Sequence, residues 1–265
     1  MRTKIFAAAI VILLIIAINI FFVDSSTGKD NISCGNLAQL ELPQLTTNNS
    51  EQIVEHFAYT VSYNPMWKIP NWVAYSLTKE ETSGPYEREK SFYPDPDVKG
   101  RSVVHKDYTH SGYDRGHMAP AADMKWSEQA MRESFYMTNV CPQNQNLNRG
   151  DWNDLEELAR DWANKYGEVY IVCGPLVAEQ FETIGKNNKI AIPKAFYKVF
   201  LRKKGDSWST IGFVMPNQSG NRPLMTYMLS VDEVEEMSGI DFFYNLPDCI
   251  EEQIEQDYHI SDWTI

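Results

Sequence analysis

An acid, a base, a glycine and a histidine occupy consecutive positions, 114–117, within the stretch Tyr-Asp-Arg-Gly-His-Met-Ala-Pro. The Ser-Gly pair before this stretch predicts a turn, and Pro120 prevents a helix from continuing through it. We therefore expect His117 on a short extended segment or tight turn, with its ring directed into a cleft. An imidazole there can act as a general base, because its ordinary pKa is about 6.5. The alternative is a structural histidine in a turn.

Further polar residues follow downstream, where Asn148 and Glu156 lie eight positions apart. Eight residues of helix turn through about 80°, so both side chains can face one side if Asn148 lies in the first turn. Mg²⁺ takes oxygen ligands and keeps several waters, so an amide oxygen and a more distant carboxylate form a sparse but sufficient set. Taken singly, Asn148 could be a helix-capping amide and Glu156 a solvated helix residue.

The elements that must position these side chains follow from apolar periodicity and turn residues. Strands and helices do not alternate regularly, which favours an α+β fold with a mostly antiparallel sheet. The predicted strands are 56–63, 71–77, 135–140, 169–173, 195–202 and 208–215, and the predicted helices are 127–134, 151–166, one after Ser230 and an acidic surface helix after Pro247. A long charged loop at 78–100 separates the second strand from the histidine stretch.

The chain carries a formal net charge of -12 and has a pI of about 4.9. Such an acidic protein is a poor candidate for gripping nucleic acid by bulk electrostatics, so this function would need a local basic groove or a bound cation. The four cysteines have no CxxC spacing, which makes a thiolate zinc site improbable. In an exported chain they permit one or two disulfides, whose pairing stays open among Cys34, Cys141, Cys173 and Cys249.

An apolar run at 5–23 follows two basic residues, Arg2 and Lys4. This order predicts an export signal, either an uncleaved membrane anchor or a cleaved signal peptide, within residues 1–23. Residues 24–52 are polar and predict a linker, and residues 53–265 form the predicted globular domain. We therefore expect the domain outside the cytoplasm, membrane-anchored or released as a periplasmic or secreted protein.

Several stretches resemble the motifs of a known family. They are Ser-Gly-Tyr-Asp-Arg-Gly-His-Met-Ala-Pro at 111–120, Tyr-Met-Thr-Asn-Val at 136–140 with Pro-Gln at 142–143, Leu-Asn-Arg-Gly at 147–150 with Trp152 and Leu-Glu at 155–156, and Gly-Pro at 174–175. Over residues 72–246, the chain resembles the DNA/RNA non-specific endonucleases of the ββα-metal, or His-Me finger, superfamily. The resemblance implies an α+β fold of the ββα-metal type, with helices flanking a central, mostly antiparallel sheet.

The resemblance also implies roles for the polar residues near the histidine. His117 would be the general base that takes a proton from the attacking water. Asn148 would be the one direct protein ligand of Mg²⁺, Mn²⁺ or another divalent cation. Glu156 would hold metal-bound waters, and Asn139 would form hydrogen bonds near the histidine and support its orientation.

Basic residues complete the implied site. Arg88 looks like the family arginine that stabilises phosphate charge, with Lys90 as a rival. Arg115 would contact phosphate or acidic partners at the site, and Asp114 would anchor the turn.

The implied function is metal-dependent, sequence-non-specific hydrolysis of phosphodiester bonds in DNA, RNA or both. The histidine activates water, the cation and arginine stabilise phosphoryl charge, and water on the cation protonates the leaving oxygen. The alternatives are a catalytically inactive nucleic-acid-binding module and a metal-dependent phosphodiesterase acting on another ester. A homodimer is possible, as in some family members.

Overall fold

The computed structural model describes residues 38–100 and 102–265. The predicted signal segment at 1–23, the first part of the predicted linker and Cys34 lie outside these residues. Within the described part of the chain, no helix combines the length and the hydropathy needed to cross a membrane. Cys141, Cys173 and Cys249 are free thiols, and the first two are buried.

A large antiparallel sheet forms the centre of the fold. The strands are β1 (Gln44–Leu45), β2 (Gln52–Glu55), β3 (Thr60–Asn64), β4 (Ile69–Thr78), β5 (Asp114–His117), β6 (Val140–Gln143), β7 (Glu168–Leu176), β8 (Thr183–Ile184), β9 (Ile190–Ala191), β10 (Ala195–Lys204), β11 (Ser207–Pro216), β12 (Met228–Leu229) and β13 (Ile240–Asp241). Seven of them form one sheet in the order β12-β11-β10-β7-β4-β3-β2, in which every neighbouring pair is antiparallel. The predicted α+β class with a mostly antiparallel sheet is confirmed.

Helices cover both faces of this sheet. They are α1 (Glu128–Ser134), α2 (Gln145–Arg149), α3 (Asp151–Tyr166), α4 (Val231–Ser238) and α5 (Asp248–Glu255). As predicted, the hydroxyl of Ser127 caps α1 by accepting from the Ala130 amide, and the hydroxyl of Ser230 caps α4 by accepting from the Glu233 amide. Gly167 ends α3 with a φ of 95°, a conformation that glycine adopts without steric cost.

The central strand β10 shows why two layers of helices are needed. Successive side chains of a strand point to opposite faces, so Phe196 and Phe200 enter one core and Tyr197 and Val199 enter the other. The first core includes the apolar stripe of α3, and the second includes Val231 and Val234 of α4 together with residues 240–246. The histidine stretch belongs to the first face.

Two predicted strands differ from the observed ones. The predicted strand 56–63 covers the turn at 56–59 and most of β3, because the chain turns where the His56 amide donates to the Tyr59 carbonyl at 2.9 Å. In place of the predicted strand 135–140, a 3₁₀ turn at Met137–Asn139 precedes β6. The side chain of Asn139 provides the physical reason, since it binds nearby backbone groups that a strand would have paired differently.

Two predicted boundaries also shift. Asn148 does not lie in the first turn of α3, because Gly150 has φ -116° and ψ -114° and separates the short helix α2 from α3. The described part of the predicted linker, 38–52, belongs to the folded domain. Leu40 is buried, and β1 pairs with β13 through Gln44 and Asp241. Residues 38–52 are mostly polar because this segment lies at the edge of the domain and buries few of its side chains.

Candidate active site

A separate two-stranded antiparallel ribbon of β5 and β6 carries the histidine, with His117 opposite Val140 and Gly116 opposite Cys141. The side chain of Gln143 crosses over Gly116, where a Cβ atom would lie 2.0 Å from the Gln143 Oε1 atom. Only glycine therefore fits at position 116 without displacing Gln143. The predicted short extended segment around His117 is the strand β5.

The imidazole of His117 lies between two aromatic rings. The ring centroids of Phe92 and Phe135 lie 5.0 Å and 4.9 Å from its own, and the residue is only 6% exposed. Its Nε2 atom is buried and has no hydrogen-bond partner among the described residues. Burial, aided by the charge of Arg88, lowers the pKa of His117 to about 3. The ring is therefore neutral at pH 7, the form in which one ring nitrogen has a free lone pair.

Asn139 fixes the backbone that follows the histidine. Its Nδ2 atom donates to the carbonyls of Ala119 and Ser134, both at 2.8 Å, and its Oδ1 atom accepts from the Ala119 amide at 2.8 Å. The Met118 amide also donates to the Asn139 carbonyl at 3.0 Å. Asn139 thus supports His117 through the next two residues of the chain, by bonds to backbone and not to the ring.

Asp114 orients the predicted metal ligand. The Nδ2 atom of Asn148 donates to the Asp114 carboxylate at 3.1 Å, and Arg149 binds the same carboxylate with two hydrogen bonds, at 2.8 Å and 2.9 Å. With its amide nitrogen committed to Asp114, Asn148 keeps Oδ1 as the atom available to a cation. Asp114 therefore does more than anchor the turn, because it joins β5 to α2 and sets the orientation of Asn148.

Arg88 lies close to the histidine from the long loop. Its guanidinium carbon is 5.1 Å from the centroid of Phe135, the ring that also packs on His117. Its charge acts on both His117 and Glu156. The rival Lys90 is not among the charges that shift the pKa of either group. The geometry favours Arg88 over Lys90 as the phosphate-stabilising residue.

Arg115 lies on the same side of β5 as His117, two residues away, but the protein itself engages its guanidinium. Its terminal nitrogen donates to the His105 carbonyl at 2.8 Å, and its guanidinium carbon lies 5.9 Å and 5.6 Å from the ring centroids of Phe92 and Tyr108. These contacts hold the loop before β5 against Phe92. They place Arg115 at the edge of the site, where it supports the wall of the histidine pocket.

Glu156 belongs to a buried charge network that the sequence did not indicate. Burial raises its pKa to about 7, against the favourable charges of Lys198 and Arg160. Lys198 is fully buried in β10, where its Nζ atom lies 3.5 Å from the Met118 carbonyl and 4.6 Å from the ring centroid of Trp152. The network thus links Glu156 to the backbone next to His117.

Asp123 closes the network on its other side. Its carboxylate accepts from the Tyr75 hydroxyl at 2.9 Å and from Arg160 at 2.8 Å, and burial raises its pKa. One sequence signal could have indicated this network, namely the lysine within the apolar strand pattern Ala-Phe-Tyr-Lys-Val-Phe-Leu. Lysine is almost never fully buried without a partner, so a lysine in a buried strand implies a nearby acid.

The sequence profile of the DNA/RNA non-specific endonuclease family matches residues 37–249. The chain belongs to this family. Human mitochondrial endonuclease G is 34% identical over 226 residues, which cover 80% of this chain and 74% of that protein. Nuclease C1 of Cunninghamella echinulata var. echinulata is 35% identical over 214 residues, which cover 74% of this chain and 84% of that protein.

Two further likenesses bear on length and fold. The mitochondrial nuclease EXOG of Xenopus laevis is 37% identical over 218 residues, and the chain spans only 60% of the length of that relative. A crystal structure of the EndoG/EndoGI complex, solved to explain the mechanism of EndoG inhibition, matches with a TM-score of 0.70 and 30% identity, covering 77% of this chain and 90% of that one. The predicted family and its ββα-metal fold are confirmed.

The residues of this endonuclease-family site fit the divalent cation that the family implies. Asn148 offers an amide oxygen whose orientation Asp114 fixes, and Glu156 offers a carboxylate from the following helix. Hard cations accept such oxygens and retain waters in their remaining positions. A cation near Glu156 would favour the ionised carboxylate over the protonated form that burial favours.

Proposed function

We propose that this member of the family is a metal-dependent endonuclease that hydrolyses phosphodiester bonds in DNA, RNA or both, without sequence specificity. The observation that carries the proposal is the neutral imidazole of His117, whose buried Nε2 atom has no partner among the described residues. A buried polar atom without a hydrogen-bond partner is costly unless a ligand completes it. The proton of an attacking water is the partner that phosphodiester hydrolysis would supply.

The residues around His117 have distinct parts in that reaction. His117 accepts the proton of the attacking water, and Asn139 holds the backbone that fixes the ring. Arg88, whose side chain remains exposed, places positive charge where the phosphoryl oxygens become more negative. Asn148 would hold the cation and Glu156 would hold waters around it. When bound, the cation supplies further positive charge and a more acidic water for the leaving oxygen.

The substrate range follows from the charge distribution. The chain as a whole is acidic, so affinity for nucleic acid would depend on the local positive charge of Arg88 and the cation. Such contacts address phosphates, which carry no sequence information directly. We therefore expect cleavage at many sites in DNA and RNA.

The experiment that tests the proposal is cleavage of supercoiled plasmid and of single-stranded RNA by the full-length chain. Nicking with Mg²⁺ or Mn²⁺ that a chelator abolishes would support metal-dependent nuclease activity. Cleavage of neither polymer with any divalent cation would overturn it and favour the inactive binding module or the other esterase. Hydrolysis that survives chelation would remove the metal from the mechanism.

We also infer that the protein is exported and that residues 1–23 either anchor it in the membrane or are cleaved. The support is the basic flank and apolar run of that segment, although the endonuclease G and EXOG relatives are named as mitochondrial. Carbonate extraction and protease treatment of intact cells test this location. Sedimentation of the full-length protein tests a homodimer.

A further inference from the structure

The helices α4 and α5 pack over the face of the sheet opposite α3, away from His117. Val234 of α4 and Ile254 of α5 join the second core, whereas the apolar stripe of α3 joins the first. Between the outer parts of these helices lies a surface cavity lined by acidic side chains. They are Asp232, Glu235, Asp241, Glu251, Glu252 and Glu255. Within the described chain, this cavity has no basic side chain in its lining.

Three of these carboxylates converge on one point. One oxygen from each of Asp232, Glu235 and Glu255 lies within 4.8 Å of the others. Two oxygens that each lie about 2.4 Å from one cation can be at most about 4.8 Å apart, so the spacing suits a shared ion of calcium size. Residues 232 and 235 come from adjacent turns of α4, and residue 255 comes from the last turn of α5.

Glu255 is buried within this cluster. It is only 3% exposed, and its Oε1 atom is buried without a hydrogen-bond partner among the described residues. The Oε1 atom of Glu251, one turn earlier and in the same cavity, is also buried and unpartnered. A buried carboxylate without a counter-charge or a donor is strongly destabilising. The cluster therefore needs either protons or a cation.

We propose that Asp232, Glu235 and Glu255 bind a divalent cation of the calcium class, which joins α5 to α4. This site is distinct from the proposed nuclease site and does not depend on it. Ca²⁺ takes several carboxylate oxygens in flexible geometry, whereas Mg²⁺ keeps most of its waters. A site with three converging carboxylates, in a cavity whose charged lining residues are all acidic, therefore favours calcium.

Protonation of the carboxylates is the alternative to cation binding. Burial, followed by the charges of Glu235 and Glu251, raises the pKa of Glu255 to about 10. Asp232 and Asp241 act on it in the same direction. Without a cation, Glu255 would therefore stay protonated at neutral pH. The two alternatives can be distinguished by experiment, because only the cation site binds calcium.

The test is isothermal titration calorimetry of CaCl₂ into the full-length chain carrying Asn148→Ala, which removes the ligand proposed for the nuclease site. We expect one equivalent of bound calcium. Asp232→Asn and Glu255→Gln should each weaken binding at least tenfold. The matched control Glu236→Gln, which changes an exposed acid on the same helix outside the cluster, should leave binding unchanged. An absence of calcium binding, or binding that neither cluster substitution weakens, would overturn the proposal.

Thermal unfolding separates lost binding from lost folding. At a calcium concentration about a hundredfold above Kd, the melting temperature of the Asn148→Ala protein should rise by about 5–10 °C. Without calcium, adding Glu255→Gln should leave the melting temperature equal or higher, since it removes a buried acid. With calcium, the doubly substituted protein should show no rise. An equal rise in both proteins would refute the site, and nuclease activity enters neither readout.

Discussion

Replacing Asn139 by alanine tests how much the backbone around His117, the proposed base, depends on one buried amide. The side chain is completely buried and makes three hydrogen bonds, to the Ala119 amide and to the carbonyls of Ala119 and Ser134. Each such bond contributes about 0.5–1.5 kcal/mol net, and each backbone group left buried and unpaired costs about 1–3 kcal/mol. We expect Asn139→Ala to lower the free energy of unfolding by about 3–5 kcal/mol.

Urea denaturation followed by tryptophan fluorescence measures this change. The matched control is Asn153→Ala, which removes an exposed hydrogen bond to Glu157 and should cost less than about 0.5 kcal/mol. Where the Asn139→Ala protein remains folded, its cleavage rate should fall about a hundredfold, since a displacement of about 1 Å at a reacting group has that effect. A loss below about 1 kcal/mol for Asn139→Ala would mean that this buried amide does not hold the backbone next to His117.

Three other predictions follow from named contacts. Arg88→Met should lower kcat for plasmid cleavage by about 10²–10³-fold, whereas Lys90→Met should leave it nearly unchanged; equal effects would contradict the assignment. Gly116→Ala should lower the free energy of unfolding by about 1–3 kcal/mol in urea, because the added Cβ would meet Gln143. Without calcium, the melting temperature should fall as pH rises between about 5 and 9. The reason is that the pKa of Glu255 is raised from 4.5 to about 10 in the folded state, so above pH 4.5 the folded state binds more protons than the unfolded state. Saturating calcium should flatten that slope, and a slope unchanged by calcium would contradict the cation site.

Local sequence signals predicted the elements whose cause is local. The extended segment at His117 follows from a turn before it and a proline after it, and the helix 151–166 follows from its apolar stripe and Gly167. The strands predicted at 195–202 and 208–215 are β10 and β11, which pair as an antiparallel hairpin. The motif resemblance then supplied the family, which composition and periodicity alone could not.

The parts that the sequence missed depend on contacts between distant segments. Lys198 reads as one charge in an apolar strand, and only the packing of β10 against Trp152 and the Met118 carbonyl shows where that charge lies. Glu255 was expected on a surface helix, yet the docking of α5 buries it beside two acids of α4. No local sequence pattern predicts that Glu255 is buried, because its burial results from the packing of α5 against α4.

In the proposed reaction, His117 is the general base of a nuclease. The most direct measurement is the single-turnover rate of DNA cleavage, with saturating Mg²⁺, by the His117→Ala protein and by a His259→Ala control that changes an exposed histidine. We expect a loss of at least about 10²-fold for His117→Ala and an unchanged rate for His259→Ala. A His117→Ala protein that remains folded and cleaves within tenfold of the parent rate would contradict it.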